Sequence, residues 1–257
     1  LRYSSDNSVG YRWTERLGTN TGYRFSGVTF DEIDRNDYER HLFYNQFRYR
    51  TSPSTVWTAA YRYQTQGNDS NRDSDSHYFL VGAEHQLSPT TVVVLRGGAQ
   101  IQEIDGGASN SAPYVEATLR AALTESAQVR AFLRYGLEDR NRLIWAHDCW
   151  QVPVLARYEE RQTFRLGLQG SYVVSPKLTF FGGVNVMMFN YDGQIGPDPA
   201  APGSLDEKIV NFNAGASYEV ADNIFVTGSY NFTKSSADAD IRDYDRSRVQ
   251  FGLQSSF

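Results

Sequence analysis

The chain has 257 residues, of which 40% are hydrophobic and 14% aromatic, with a formal net charge of −5 and a single cysteine, Cys149. The acidic balance speaks against a nucleic-acid binder, and one cysteine excludes a disulfide framework. No window approaches the roughly eighteen consecutive apolar residues of a membrane-spanning helix.

Taken in chain order, residues 1–5 read as the stub of a first strand, truncated at its start, followed by strands at 9–17 and 22–30 around a turn at Gly18-Thr19-Asn20-Thr21. The chain starts at Leu1 with neither an initiator Met nor a leader, so any export signal is expected to be absent from this stretch. Strands follow at 38–50, 55–65, 77–87, 92–102, 112–123 and 128–138, then at 162–174, 178–191, 208–220, 224–235 and 247–257. Their signal is a period of two. Val129, Ala131, Leu133, Tyr135 and Leu137 oppose Arg130, Phe132, Arg134, Gly136 and Glu138, and Val210, Phe212, Ala214, Ala216 and Tyr218 oppose Asn211, Asn213, Gly215 and Ser217. Short connections such as Thr51-Ser52-Pro53-Ser54, Ser88-Pro89-Thr90-Thr91, Thr124-Glu125-Ser126-Ala127, Ser175-Pro176-Lys177 and Ala221-Asp222-Asn223 alternate with longer polar segments at 31–37, 67–76, 104–111, 140–160, 194–207 and 236–246.

That layout predicts an all-β fold: one transmembrane antiparallel up-and-down β-barrel over residues 1–257, with short periplasmic turns and long extracellular loops. Single-chain bacterial barrels have even strand numbers, so the count settles at about fourteen, with twelve or sixteen as alternatives. Strands about 4.8 Å apart and tilted about 40° then close to a radius of roughly 14 Å, too wide for side chains to fill. A soluble sandwich or propeller shares the composition but would bury successive arginines without partners. Aromatics gather at strand ends, with Tyr23, Tyr49, Trp57, Tyr172, Tyr218 and Phe257 near the turns and Tyr38, Tyr63, Tyr114, Tyr191 and Phe232 near the loops, as two interfacial girdles require.

Of the 25 basic residues only Lys177, Lys208 and Lys234 are lysine, a bias toward the guanidinium fork. Alternation points many arginines inward, and Arg48, Arg62, Arg96, Arg120, Arg134 and Arg165 fall nearest mid-strand, with Glu84, Glu116 and Glu138 on the same face. Arg12, Arg16, Arg24, Arg50, Arg130 and Arg248 fall inward by the same count, as does Glu219. An excess of inward arginine favours anions, because fixed charge in a confined space focuses its potential. The expected function is therefore an outer-membrane channel for small hydrophilic, anionic solutes. Tyr44, Tyr78, Tyr114, Phe132, Phe181 and Phe189 also point inward, which keeps a conduit for exopolysaccharide as an alternative, beside a structural or adhesive barrel that binds a partner through its loops.

An enzyme is not expected. None of His41, His77, His85 or His147 lies in a motif that sets a base beside a nucleophile, and His147-Asp148-Cys149 cannot converge on a metal without a sharp turn. No cofactor or metal is expected.

The chain ends in Val249-Gln250-Phe251-Gly252-Leu253-Gln254-Ser255-Ser256-Phe257. Val249, Phe251, Leu253 and the terminal Phe257 resemble the C-terminal segment by which outer-membrane proteins are recognised by the barrel-assembly machinery, with Ser255 where an aromatic is common. Together with Leu87-Ser88-Pro89-Thr90-Thr91, Val174-Ser175-Pro176-Lys177-Leu178 and Asp243-Tyr244-Asp245-Arg246-Ser247-Arg248-Val249, the chain resembles the type 2 β-barrel porins over nearly its whole length. The resemblance implies the outer membrane of a Gram-negative bacterium, with outer-membrane lipids, lipopolysaccharide and the assembly machinery as partners. It implies the solute hardly at all.

Overall fold

A computed structural model describes residues 1–29, 37–68, 73–106, 109–138, 144–147, 150, 152–197, 201–238 and 240–255. Its strands are β1 (Arg2–Arg12), β2 (Leu17–Val28), β3 (Tyr38–Ser52), β4 (Thr55–Asn68), β5 (Ser74–Ser88), β6 (Thr91–Ile104), β7 (Ser109–Ala122), β8 (Ala127–Leu137), β9 (Ile144–His147), β10 (Pro153–Ser175), β11 (Leu178–Pro197), β12 (Ser204–Ala221), β13 (Ile224–Ala237) and β14 (Tyr244–Ser255). All fourteen belong to one antiparallel sheet in which each strand pairs with the next, except that β8 pairs β10 directly and the short β9 pairs only β10. The up-and-down fold is the expected one. β1 and β14 end the path, and no ladder joins them among the described residues.

The membership of the fourteen differs from expectation at the start. Residues 1–5 are not a separate stub but the first half of β1, and the first turn lies at 13–16, while Gly18-Thr19-Asn20-Thr21 is β2 strand backbone. Gly, Asn, Ser and Asp have poor strand propensity, yet pairing overrides it here: Gly18, Thr19, Asn20 and Thr21 sit opposite Arg48, Phe47, Gln46 and Asn45. The fourteenth strand is instead β9, which lies with the first residues of β10 inside the segment 140–160 that reads as loop.

The short turns are of two kinds, and each has a local cause. Four strands carry a one-residue bulge just before a two-residue turn, between Arg50 and Ser52, Gln86 and Ser88, Val173 and Ser175, and Glu219 and Ala221. Pro53, Pro89 and Pro176 open three of those turns with the φ that the ring imposes, and a bulge restores the strand twist that such turns disturb. In the fourth, Asn223 adopts a φ of 62°, which its short polar side chain tolerates. The other kind is wider. Thr14 Oγ1 accepts the backbone N–H groups of Arg16 and Leu17 at 3.2 and 2.9 Å, and Thr124 Oγ1 accepts those of Ser126 and Ala127 at 3.2 and 3.0 Å.

Pleating sends alternate side chains to opposite faces. The outer face is apolar and open, with Val9 and Leu253 each 74% exposed and Phe251 84% exposed. Its histidines are held across strands: His41, His77 and His85 each have Nδ1 2.8 Å from a hydroxyl, of Tyr23, Tyr61 and Thr55 respectively. Two residues expected in the loop-side aromatic girdle are elsewhere, since Tyr114 and Tyr191 are 4% and 3% exposed and face the concave side. Tyr23 also leaves the turn-side girdle, because the first turn is earlier and Tyr23 lies mid-strand opposite Asn7 and Phe43.

Candidate pore lining

The inner face is concave enough for side chains to meet across intervening strands. Arg48 on β3 reaches over β4 to Glu84 on β5, with Nη1 and Nη2 donating to its two carboxylate oxygens at 2.9 and 2.6 Å. Arg62 on β4 reaches over β5 and β6 to Glu116 on β7, again with two bonds, at 3.1 and 2.8 Å. Arg96 on β6 stands between the carboxylates and donates to Glu84 at 3.3 Å and Glu116 at 2.7 Å, while the Tyr114 hydroxyl donates to Glu116 at 2.8 Å. Three arginines thus share two carboxylates. Forked pairs of this kind are stronger than single-point contacts and fix the distance between strands that are not neighbours.

A second network braces β8 and β10. Glu138 receives Arg134 at 2.9 Å, Arg161 at 2.7 Å and Arg165 at 2.6 Å. Three positive groups here converge on one carboxylate that is only 10% exposed. Of the nine residues read as pore lining, eight (Arg48, Arg62, Arg96, Arg134, Arg165, Glu84, Glu116 and Glu138) enter these two networks. Arg120 enters neither.

Two arginines that pair with inward carboxylates escape the sequence reading. Arg161 falls beside the segment taken as loop, although its spacing of four from Arg165 continues the inward parity of β10. Arg242, on the short 3-10 helix Asp240–Arg242, bonds Glu207 at the loop end, where Tyr191 Oη and Ser235 Oγ also donate to that carboxylate at 3.2 and 3.3 Å. Around this group the loop end is packed: Ala146, Val154, Ala156, Tyr158, Phe189, Tyr191, Ala201 and Leu205 form one buried cluster, with the Arg161 guanidinium 4.9 Å from the Phe189 ring centre.

Inward aromatics follow a rule of their own. Tyr44, Phe132 and Phe181 stand directly opposite Gly22, Gly167 and Gly215 in the ladders, and each ring covers the glycine so closely that a Cβ there would overlap it. Glycine supplies the groove in which the ring lies.

Toward the turns the interior opens. A space of about 1000 Å³ is bounded by Glu84, Arg96, Thr118, Arg120, Gln128, Arg130, Gln169, Ser171, Phe181 and Asn213. A second, of about 430 Å³, is bounded by Asn20, Arg24, Tyr44, Gln46, Arg62, Arg96, Glu116, Arg130, Phe132 and Arg134. Arg96 and Arg130 border both. Arg24 is bound by Asp6 at 2.5 and 3.0 Å, and Arg16 lies in the first turn rather than on a strand. Asp34, Cys149, Asp148 and Phe257 lie outside the described residues, among which no group of three His, Cys, Asp or Glu side chains is placed to hold a metal.

The fold is similar to that of outer-membrane β-barrel proteins among solved structures. No family model matches the chain, and no curated protein does. The outer membrane channel DcaP of Acinetobacter baumannii superposes with a TM-score of 0.56 at 11% identity, over 99% of this chain and 84% of that one. The FrpB iron transporter from Neisseria meningitidis gives 0.57 at 11% identity over 95% of this chain, and the ferric citrate transporter FecA 0.56 at 13% over 98%. The chain spans only 44% and 46% of those two transporters. At such identities the likeness is one of fold.

Proposed function

We propose that the chain is an outer-membrane channel of a Gram-negative bacterium that passes small hydrophilic solutes and prefers anions. The observation that carries this reading is the charge ratio of the paired networks of the inner wall, where the six arginines Arg48, Arg62, Arg96, Arg134, Arg161 and Arg165 pair with three carboxylates, Glu84, Glu116 and Glu138. Pairing braces the wall but leaves it positive, and any charge more than a Debye length of about 8 Å from the wall is largely screened from it. The apolar outer face and the fold shared with outer-membrane channels support the location, with lipid and lipopolysaccharide around the barrel. The finer likeness to type 2 β-barrel porins belongs to this reading, as does the assembly role of the last strand, where Val249, Phe251 and Leu253 share the outer face. Reversal potentials of the purified barrel in a planar bilayer under a KCl gradient test the selectivity.

A polysaccharide conduit is the second reading, favoured by the rings of Tyr44, Phe132 and Phe181, which lie along the wall rather than across the lumen. Block of ion current by neutral oligosaccharides, with no anion preference, is the result that selects it.

A further inference from the structure

Arg120 and Arg130 stand apart from the paired arginines Arg48, Arg62, Arg96, Arg134 and Arg165. They are direct cross-strand partners on β7 and β8, both exposed to the larger space, and neither has a hydrogen bond or ion pair among the described residues. Like charges directly opposite in an antiparallel ladder destabilise the sheet, because their side chains leave adjacent backbone positions on the same face. The row they begin contains no acid. The register continues from Arg130 to Gln169, across Gly183 to Asn213, then to Asn231 and Arg248. The one carboxylate bounding this space, Glu84, is already engaged by Arg48 and Arg96.

We propose that Arg120 and Arg130 form a binding site for a doubly charged oxyanion, a phosphate or dicarboxylate group of the passing solute, at the turn-side end of the lumen. Two facing guanidinium forks offer more N–H donors than a monovalent halide can accept, and a divalent anion cancels the repulsion that the pair otherwise suffers. Gln169 in the next strand supplies a neutral amide at the same level. The unfavourable like-charge contact is a local violation of sheet chemistry of the kind expected where function outweighs stability. This inference rests on the anion-channel reading, but its ligand chemistry is separately testable.

The test uses inorganic phosphate at pH 8 against chloride at matched ionic strength, on the folded barrel in detergent and in a planar bilayer. In detergent, phosphate raises the thermal midpoint of the wild type saturably, as binding to the native state alone requires. In the variant carrying Arg120→Gln and Arg130→Gln the response is weakened by about tenfold or more, as loss of two charge-assisted contacts implies. The same variant melts no lower than wild type in chloride, since a repulsive pair has been removed; if it fails to fold, Arg130→Gln alone serves. In the bilayer, phosphate reduces wild-type chloride current and leaves the variant's current nearly unchanged. An anion-selective channel whose midpoint and current ignore phosphate, or whose variant responds as wild type does, overturns the site and leaves the channel reading standing. A cation-selective barrel that still binds phosphate through these two residues overturns the channel reading and leaves the site.

Discussion

The two ends of the lumen are built on opposite principles. At the loop end, the buried acid is satisfied and space is filled: Glu207 is held by Arg242, Tyr191 and Ser235, and Tyr158, Phe189 and Leu205 pack in one cluster with Ala146 of β9. At the turn end, Arg120 and Arg130 stand side by side as direct cross-strand partners on a space of about 1000 Å³ whose one bordering carboxylate, Glu84, is engaged by Arg48 and Arg96. Between these lie the two paired networks, in which six arginines meet three carboxylates. The difference teaches that the number of inward arginines is a poor guide to their role, since most of them hold the wall and the acid-free row is where charge is left for a solute.

The comparison can be broken most violently at Glu138. Replacing it by Gln strands Arg134, Arg161 and Arg165 without their shared counter-charge, and removing one side of a largely buried ion pair costs about 3–5 kcal/mol. We expect Glu138→Gln to lower the urea midpoint of the refolded barrel by far more than Arg120→Gln does. Similar small losses in both would mean that the networks brace nothing.

A smaller effect is expected where rings lie on glycine. In Gly167→Val the new side chain meets the Phe132 ring, and overpacking of this kind costs about 1–3 kcal/mol. Adding Phe132→Ala relieves the clash, so the double variant recovers part of the lost midpoint; no recovery would show that the ring and the glycine are not coupled. Smaller still is Thr124→Ala, which removes the acceptor of two turn N–H groups. A loss of about 0.5–1.5 kcal/mol is expected, with conductance unchanged.

How much of this was legible follows the same division. From β3 to β8 and from β10 to β14 the alternation placed every strand, because polar and apolar side chains take opposite faces of each, and Pro53, Pro89 and Pro176 marked their turns. The first hairpin was misplaced because Gly18-Thr19-Asn20-Thr21 has turn chemistry and only its pairing with β3 makes it strand. Its true turn did leave a trace, since Thr14-Glu15 repeats the Thr124-Glu125 of the 123–126 turn. The inward face of Arg48, Arg62, Arg96, Arg134 and Arg165 was readable from parity, but not their partners, because Arg62 and Glu116 are 54 residues apart and meet only through curvature. Arg242 sits on a helical turn, where strand parity says nothing.

The central claim is that the wall is net positive after pairing, and that this charge governs passage. Its most direct test is the reversal potential of the wild-type barrel in a tenfold KCl gradient. Selectivity for chloride is the expected result, and it is reduced but keeps its sign in the variant with Arg120→Gln and Arg130→Gln, because the paired networks stay net positive. A wild-type reversal potential on the potassium side would contradict the account outright.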